Sequence, residues 1–328
     1  MISKRITALT MIFLVILATA CGTASNANES EETVVLNIAY QYGLAYAPLI
    51  ICRENELIEQ EYEKLTGKQV TVTWTQMSSG ADINTGIASG NLNVGFMGIA
   101  PALIGISNSV GYKIFTNLSG QEHGMMAHDE SIKELKDLIG SSHQIALVNI
   151  GSIQHIILAK ALVDNGYDAH ALDSNIVAMK HPDGMNSVET NSISCHLTTN
   201  PYIYKERSNA DLHELGEVKE SWPADNSFIV GVCAEKLYSE NPDLYKALCQ
   251  AMDLAVDFVN SDVEATAEIT CEYDGNTYES EAMYLAAGTY GTSTKGILEL
   301  AQFMYEYGFI EKEISRYEDL TFENVAGD

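Results

Sequence analysis

Basic side chains are scarce in this chain: Lys and Arg number 18 against 45 Asp and Glu, a formal net charge of -27. So acidic a surface repels phosphate backbones and anionic headgroups, which excludes nucleic acid as an expected partner. Long apolar runs are also missing. After Leu17 none approaches the roughly 18 residues of a membrane span, and the run from Ile6 to Ala18 is too short to span comfortably. Cys52, Cys195, Cys233, Cys249 and Cys271 form no C-x-x-C pair and no Cys/His pair at metal-ligand spacing, so neither a disulfide framework nor a metal site is expected. Cys233 and Cys249, in apolar settings, read as small core residues. G-x-S-x-G, H-E-x-x-H and phosphate-loop motifs are absent, and no paired acid and base suggests bond-making chemistry. The expectation is a protein that binds, without a cofactor and without catalysis.

What is present begins with a leader. Lys4-Arg5, the apolar run and the small residues up to Cys21 have the form of a signal peptide over 1–20. Ala18-Thr19-Ala20-Cys21 resembles the processing site of bacterial lipoproteins, which makes Cys21 the expected lipidated residue and 21–33 a polar tether. The mature body is then extracytoplasmic and held to the membrane by an acyl chain. At 328 residues the chain exceeds one ordinary core, so about two domains are expected.

The stretch from Met77 to Pro101 is the organising one. Val70–Thr75 reads as a strand, and Ser78-Ser79-Gly80 is a small-residue turn suited to opening a helix with hydroxyls and free N–H groups. Helical spacing of Ile83, Ile87 and Ala88 follows, then a stop at Gly90, a strand Val94–Met97 and a tight turn Gly98–Pro101 that includes Ala100. Strand, helix, strand implies a parallel pair, and the edge after parallel strands is where open α/β sheets hold ligands. A buried strand Val34–Tyr40 precedes this unit, and one helix is expected from Pro48 to about Leu65. Tyr40, Gln41, Tyr42 and Tyr46 between them would then stand on the same edge, as apolar faces with polar tips.

The pattern restarts after a crossing near Ser119–Gly124. Strands are expected at Met125–Ala127, Gln144–Asn149, Asn175–Lys180 and Ile193–Thr198, with a charged helix at Ile132–Ile139. Gly151-Ser152-Ile153-Gln154-His155 opens a long helix, with Ser152 at the N-cap and Gln154 and His155 each offering a donor or acceptor. His155 reads equally as a structural histidine. Thr199-Asn200-Pro201-Tyr202 repeats the strand-end layout. The chain should cross back near Ser221–Asp225 into a strand Phe228–Cys233, followed by an amphipathic helix Pro242–Val259 and a mostly helical C-terminal third.

Taken in order, IAYQYGLAYAPLIICRENELIE (38–59), SSGADINTGIASGNLNVGFMGIAPALIG (78–105), GSIQHIILAKAL (151–162), NIVAMKHPDGM (175–185), HLTTNPYIYKE (196–206) and KGILELAQFMYEYGFI (295–310) resemble the nitrate/sulfonate/taurine-type solute-binding proteins of ABC importers. The resemblance implies a type II periplasmic-binding-protein-like α/β fold: two lobes, each a mostly parallel sheet flanked by helices, joined by two hinge crossings. It implies 34–122 and 223–328 as one lobe and 123–222 as the other, a ligand in the cleft, a monomer, and partnership with a permease and its ATPase. It points to the same loops: Tyr40–Tyr42, Ser78–Gly80 and Gly98–Pro101 on one lobe, Gly151–His155 and Thr199–Tyr202 on the other. Asn93, Ser194 and Asn200 depart from the family pattern, which often has acids at the first two positions and a proline at the third; Asn200 could then face the ligand.

For ligand chemistry, organosulfonates including taurine come first by resemblance, with serine and backbone donors offsetting the acidic field. No Arg or Lys falls in any cleft loop so assigned, so a heterocycle sandwiched by Tyr40, Tyr42, Tyr46 and Tyr202 comes a close second. A sensor domain is a further reading, to be separated from transport by a neighbouring permease and ATPase gene.

Overall fold

The computed structural model describes residues 34–328; the leader, Cys21 and the tether lie outside the described residues. Two sheets organise the body. The first is assembled from β1 (Val34–Tyr40), β2 (Val70–Gln76), β3 (Val94–Gly98), β4 (Tyr112–Gly120), β10 (Ile229–Ala234) and β11 (Thr289–Tyr290), in the order β11-β4-β10-β3-β1-β2. The second takes β5 (His123–Ala127), β6 (Ile145–Leu147), β7 (Ile176–Ala178), β8 (Cys195–Thr199) and β9 (His213–Leu215), in the order β7-β6-β8-β5-β9. β1 is parallel to β2 and β3, and β6 is parallel to β7 and β8. β10 runs antiparallel to β3 and β4, and β5 antiparallel to β8 and β9. These two reversed strands are the ones entered directly after each passage between sheets, so they start at the edge where the parallel strands end.

Helices cover the faces. α1 (Ala47–Glu54), α2 (Leu57–Thr66), α3 (Gly80–Ala88) and α4 (Ile99–Ser107) follow the strands of the first sheet. α5 (Ile153–Asp164), α6 (His181–Glu189), α7 (Tyr202–Arg207) and α8 (Gly216–Lys219) belong with the second. α9 (Glu235–Glu240), α10 (Pro242–Ser261), α11 (Val263–Asp274), α12 (Tyr278–Ala286) and α13 (Ile297–Glu306) complete the chain. α10 buries Leu244, Leu248, Ala251 and Ala255 as its spacing predicts, whereas Leu254 lies on the exposed side. No helix among the described residues is long and apolar enough to cross a membrane.

Three expected elements differ. The single helix after Pro48 breaks in two, because Glu56 takes a left-handed conformation (φ 50) while the Asn55 side chain donates to Ile51 O. The charged helix at Ile132–Ile139 reduces to a 3-10 turn, Leu135–Asp137. There, side chains capture the backbone donors: Asp129 accepts from Ser131 N, and Asp137 accepts from Lys133 N and Glu134 N. Finally, Gly98–Pro101 is no free turn, since α4 begins at Ile99 directly on the end of β3.

The passages between sheets lie against each other. A Cβ on Gly120 would meet Ala224 O at 2.4 Å and Asn226 O at 2.8 Å, so this position has room only for glycine. Phe228 N donates to Ser119 O across the pair, and Trp222, buried, donates its indole N–H to Ser227 O.

Candidate functional site

Strand ends from both sheets converge on one gap, which contains about 640 Å³ of empty space partly open to solvent. From the first sheet it takes Gln41, Tyr42 and Tyr46 after β1, Ser78 and Gly80 after β2, Gly98 at the end of β3, and Phe228 and Ile229 at the start of β10. The second contributes Asn149, Ser152 and Gln154 after β6, Lys180 and His181 after β7, and Thr199 and Asn200 at the end of β8. Four helices, α3 to α6, begin on this lining, so the partial positive charge of their N-termini falls at the gap.

Nine of the expected residues line it: Gln41, Tyr42, Tyr46, Ser78, Gly80, Gly98, Ser152, Gln154 and Asn200. The Tyr46 hydroxyl donates to Gln41 Oε1 at 3.2 Å, and the Gln41 amide donates to Ser78 O at 3.4 Å, which ties two of the loops together. Burial pushes the Tyr46 phenol up, so it stays protonated. Asn200 donates to Tyr284 O in α12 at 2.8 Å, a contact that fastens the end of β8 to the C-terminal helices.

The other six do not line the gap. Tyr40 is absent from the lining, and its hydroxyl accepts from Arg53 at 2.7 Å. Ser79 is the N-cap of α3, its hydroxyl oxygen accepting from Asp82 N. Ala100 is fully buried in the first turn of α4. Gly151, at φ 80, donates its N–H to His155 Nδ1, and His155 Nε2 meets Asp173 Oδ1 at 2.9 Å. His155 is therefore occupied at both nitrogens, and burial holds its pKa down against the pull of Asp173. Tyr202 stacks behind His181, with ring centroids 5.4 Å apart. The proposed sandwich of four tyrosines thus reduces to Tyr42 and Tyr46, because Arg53 engages the Tyr40 hydroxyl and Tyr202 lies against His181. Asn93 and Ser194 also lie away from the gap: Asn93 Oδ1 accepts from Asn37 N, and Ser194 Oγ meets His143 Nδ1.

The expectation of a cleft without a cation is overturned. Lys180, at the N-cap of α6, lines the gap, with Nζ 5.4 Å from the Tyr42 ring centroid across it. Among the described residues the lining includes no Asp or Glu, so within a chain of net charge -27 the cleft is set apart as the place an anion can enter. The sequence held the signal. Asn175–Lys180 was readable as a strand with a helix opening at Pro182, and its end joins the same edge as the others once β7 pairs parallel to β6. No group of His, Cys, Asp and Glu suited to a metal ion occurs among the described residues, and their five cysteines are free.

The profile of the NMT1-like family matches residues 29–273. The chain belongs to the NMT1-like family. This NMT1-like protein is 22% identical over 306 residues to the taurine-binding periplasmic protein of Escherichia coli K12, covering 87% of this chain and 91% of that one. Its fold is that of the alkanesulfonate-binding protein SsuA from Xanthomonas axonopodis pv. citri, solved bound to MOPS: TM-score 0.72 at 13% identity, over 90% of this chain and 99% of that one. The aliphatic sulphonate binding protein SsuA of Escherichia coli is similar too, with TM-score 0.66 at 15% identity, over 89% of this chain and 93% of that one. The NMT1-like protein is thus built as a two-lobed solute-binding protein of the ABC-import type, with its gap at the strand ends, and belongs to a non-enzymatic family.

Proposed function

We propose that this protein captures an organosulfonate of the taurine type outside the cell and delivers it to an ABC permease and its ATPase. The observation that carries the reading is the cleft's charge: Lys180 and four helix N-termini face a lining that, among the described residues, includes no carboxylate. Lys180, Ser78, Ser152 and Gln154 would take the sulfonate oxygens, while Tyr42 and Tyr46 pack on the carbon chain. A ligand touching both lobes binds the closed arrangement more tightly than the open one, so it shifts the hinge equilibrium toward closure. The lobes of the proposal are 34–122 with 223–328, and 123–222, and Cys21 is the proposed site of the lipid anchor.

Isothermal titration against taurine, ethanesulfonate, nitrate and hydroxymethylpyrimidine tests the ligand class. Heat with the sulfonates is expected; heat with hydroxymethylpyrimidine alone would replace the sulfonate by a heterocycle. For the anchor, labelling cells with radioactive palmitate should mark the wild type and not Cys21→Ser.

A further inference from the structure

A row of four buried polar side chains runs inward from the cleft beside Lys180. Gln154 Nε2 lies 3.1 Å from His181 Nε2, His181 Nδ1 lies 3.2 Å from His196 Nε2, and His196 Nδ1 lies 2.6 Å from Glu206 Oε1. Gln154 and His181 line the gap, whereas His196 and Glu206 are fully buried. Four elements, α5, α6, β8 and α7, supply one residue each. The packing is specific to the rings: a Cβ on Gly184 would stand 2.7 Å from His196 Nε2, so α6 can approach only with glycine there.

A neutral imidazole has one N–H and one bare nitrogen. Since both nitrogens of both rings are engaged, the proton at one end of the row dictates the direction of every bond. Burial pushes His196 down to about 3, and burial with His196 beside it does the same to His181, so both rings are neutral at physiological pH. Burial, and then Glu189, push Glu206 up to about 9. The other groups facing the row are the Thr198 hydroxyl near Glu206, Tyr202 stacked on His181, Lys205 over the Tyr202 ring, and Lys180 at the cleft.

With the carboxyl proton in place, Glu206 donates to His196 Nδ1, His196 Nε2–H to His181 Nδ1, and His181 Nε2–H to the Gln154 amide oxygen, the amide standing a half-turn from the placement in which Nε2 faces His181. The Gln154 NH2 then faces the cleft. Loss of one proton reverses the row: the carboxyl proton passes to His196 Nδ1, the His196 Nε2 proton to His181 Nδ1, and the His181 Nε2 proton leaves to the cleft solvent, so each ring keeps one proton, now on Nδ1, and Gln154 donates to His181 and turns its oxygen to the cleft. A half-turn of the amide exchanges the two atoms with little other movement.

We propose that Gln154, His181, His196 and Glu206 form a proton wire in which the buried carboxylic acid holds the Gln154 amide as an anion donor, making Glu206 a positioning residue for cleft selectivity. This rests on the anion-cleft reading above.

Imidazole nitrogen spectra of the mature, 15N-labelled protein without ligand test the wire directly. At pH 7 both rings should carry hydrogen on Nε2; raising the pH should shift both to Nδ1–H with a midpoint near 9. In Glu206→Gln the tautomers should no longer change with pH. Nδ1–H on both rings at pH 7, or a change that persists in Glu206→Gln, overturns the proposal. Ethanesulfonate affinity should fall between pH 7 and pH 10 by about tenfold more in the wild type than in Glu206→Gln, since loss of one donor to an anion costs about that much; equal falls also overturn it. Ethanesulfonate that fails to bind at any pH removes the sulfonate reading, while the tautomer result still decides the wire.

Discussion

Lys180 and Tyr42 meet across the gap at their tips, and each is exposed, so neither holds up the core. Removing the ammonium should therefore act on binding alone. Lys180→Ala is expected to weaken sulfonate binding about 10- to 100-fold, the range for one charge-assisted hydrogen bond, with the thermal midpoint nearly unchanged; titration calorimetry beside a melting curve checks both. Tyr42→Ala should also weaken binding at constant stability. Ser79 lies next to a lining residue in sequence yet behaves differently, because its hydroxyl caps α3. Ser79→Ala should lower stability by ~1 kcal/mol and leave ligand affinity close to wild type, measured by urea unfolding and calorimetry.

At the scale of elements, what positions the site is a repeated device: a parallel strand that ends, a short turn, and a helix whose first N–H groups face the gap. The small-residue turns at Ser78–Gly80 and Gly151–Ser152 were legible because hydroxyl caps leave a composition signal. The β7–α6 turn was not assigned to the cleft, since Lys180-His181 carries no such signal and Lys180 makes no side-chain cap. Ser152 combines both duties, lining the gap while accepting from His155 N at 3.3 Å. Ser152→Ala is accordingly expected to reduce both stability, by ~1 kcal/mol, and sulfonate affinity, in contrast to Ser79→Ala; the same two measurements separate them.

For the whole molecule, small residues let the two sheets' elements approach closely, and ion pairs sit beside the crossings. A Cβ on Gly98 would come within 3.0 Å of Ile153 Cγ2 from the other lobe. Gly98→Val should then prop the gap, giving a larger radius of gyration by small-angle scattering and weaker ligand binding. Glu122, just after Gly120, accepts from Tyr204 at 2.6 Å and pairs with Arg207 at 2.8 Å and Lys219 at 3.4 Å. Burial opposes its ionisation, but Tyr204, Arg207 and Lys219 outweigh burial and hold its carboxyl below the ordinary value of 4.5. A depressed carboxyl contributes stability above its ordinary value and loses it as the pH falls through the depressed one. The thermal midpoint should thus drop on acidification below pH 4.5, and drop less in Glu122→Gln.

The sequence alone determined much of the alternation of strands and helices, the edge at which the strand ends gather, and the loops on either side of the gap, because periodicity, caps and turn residues are local in origin. Which side chains at those loops turn inward was decided by tertiary structure. Tyr40 and Tyr42 differ by two residues, yet the first is drawn to Arg53 and the second reaches Lys180, since partners distant in the chain choose the face. The wire from Gln154 to Glu206 exists for the same reason: four residues scattered over 53 positions become neighbours only when α5, α6, β8 and α7 pack together.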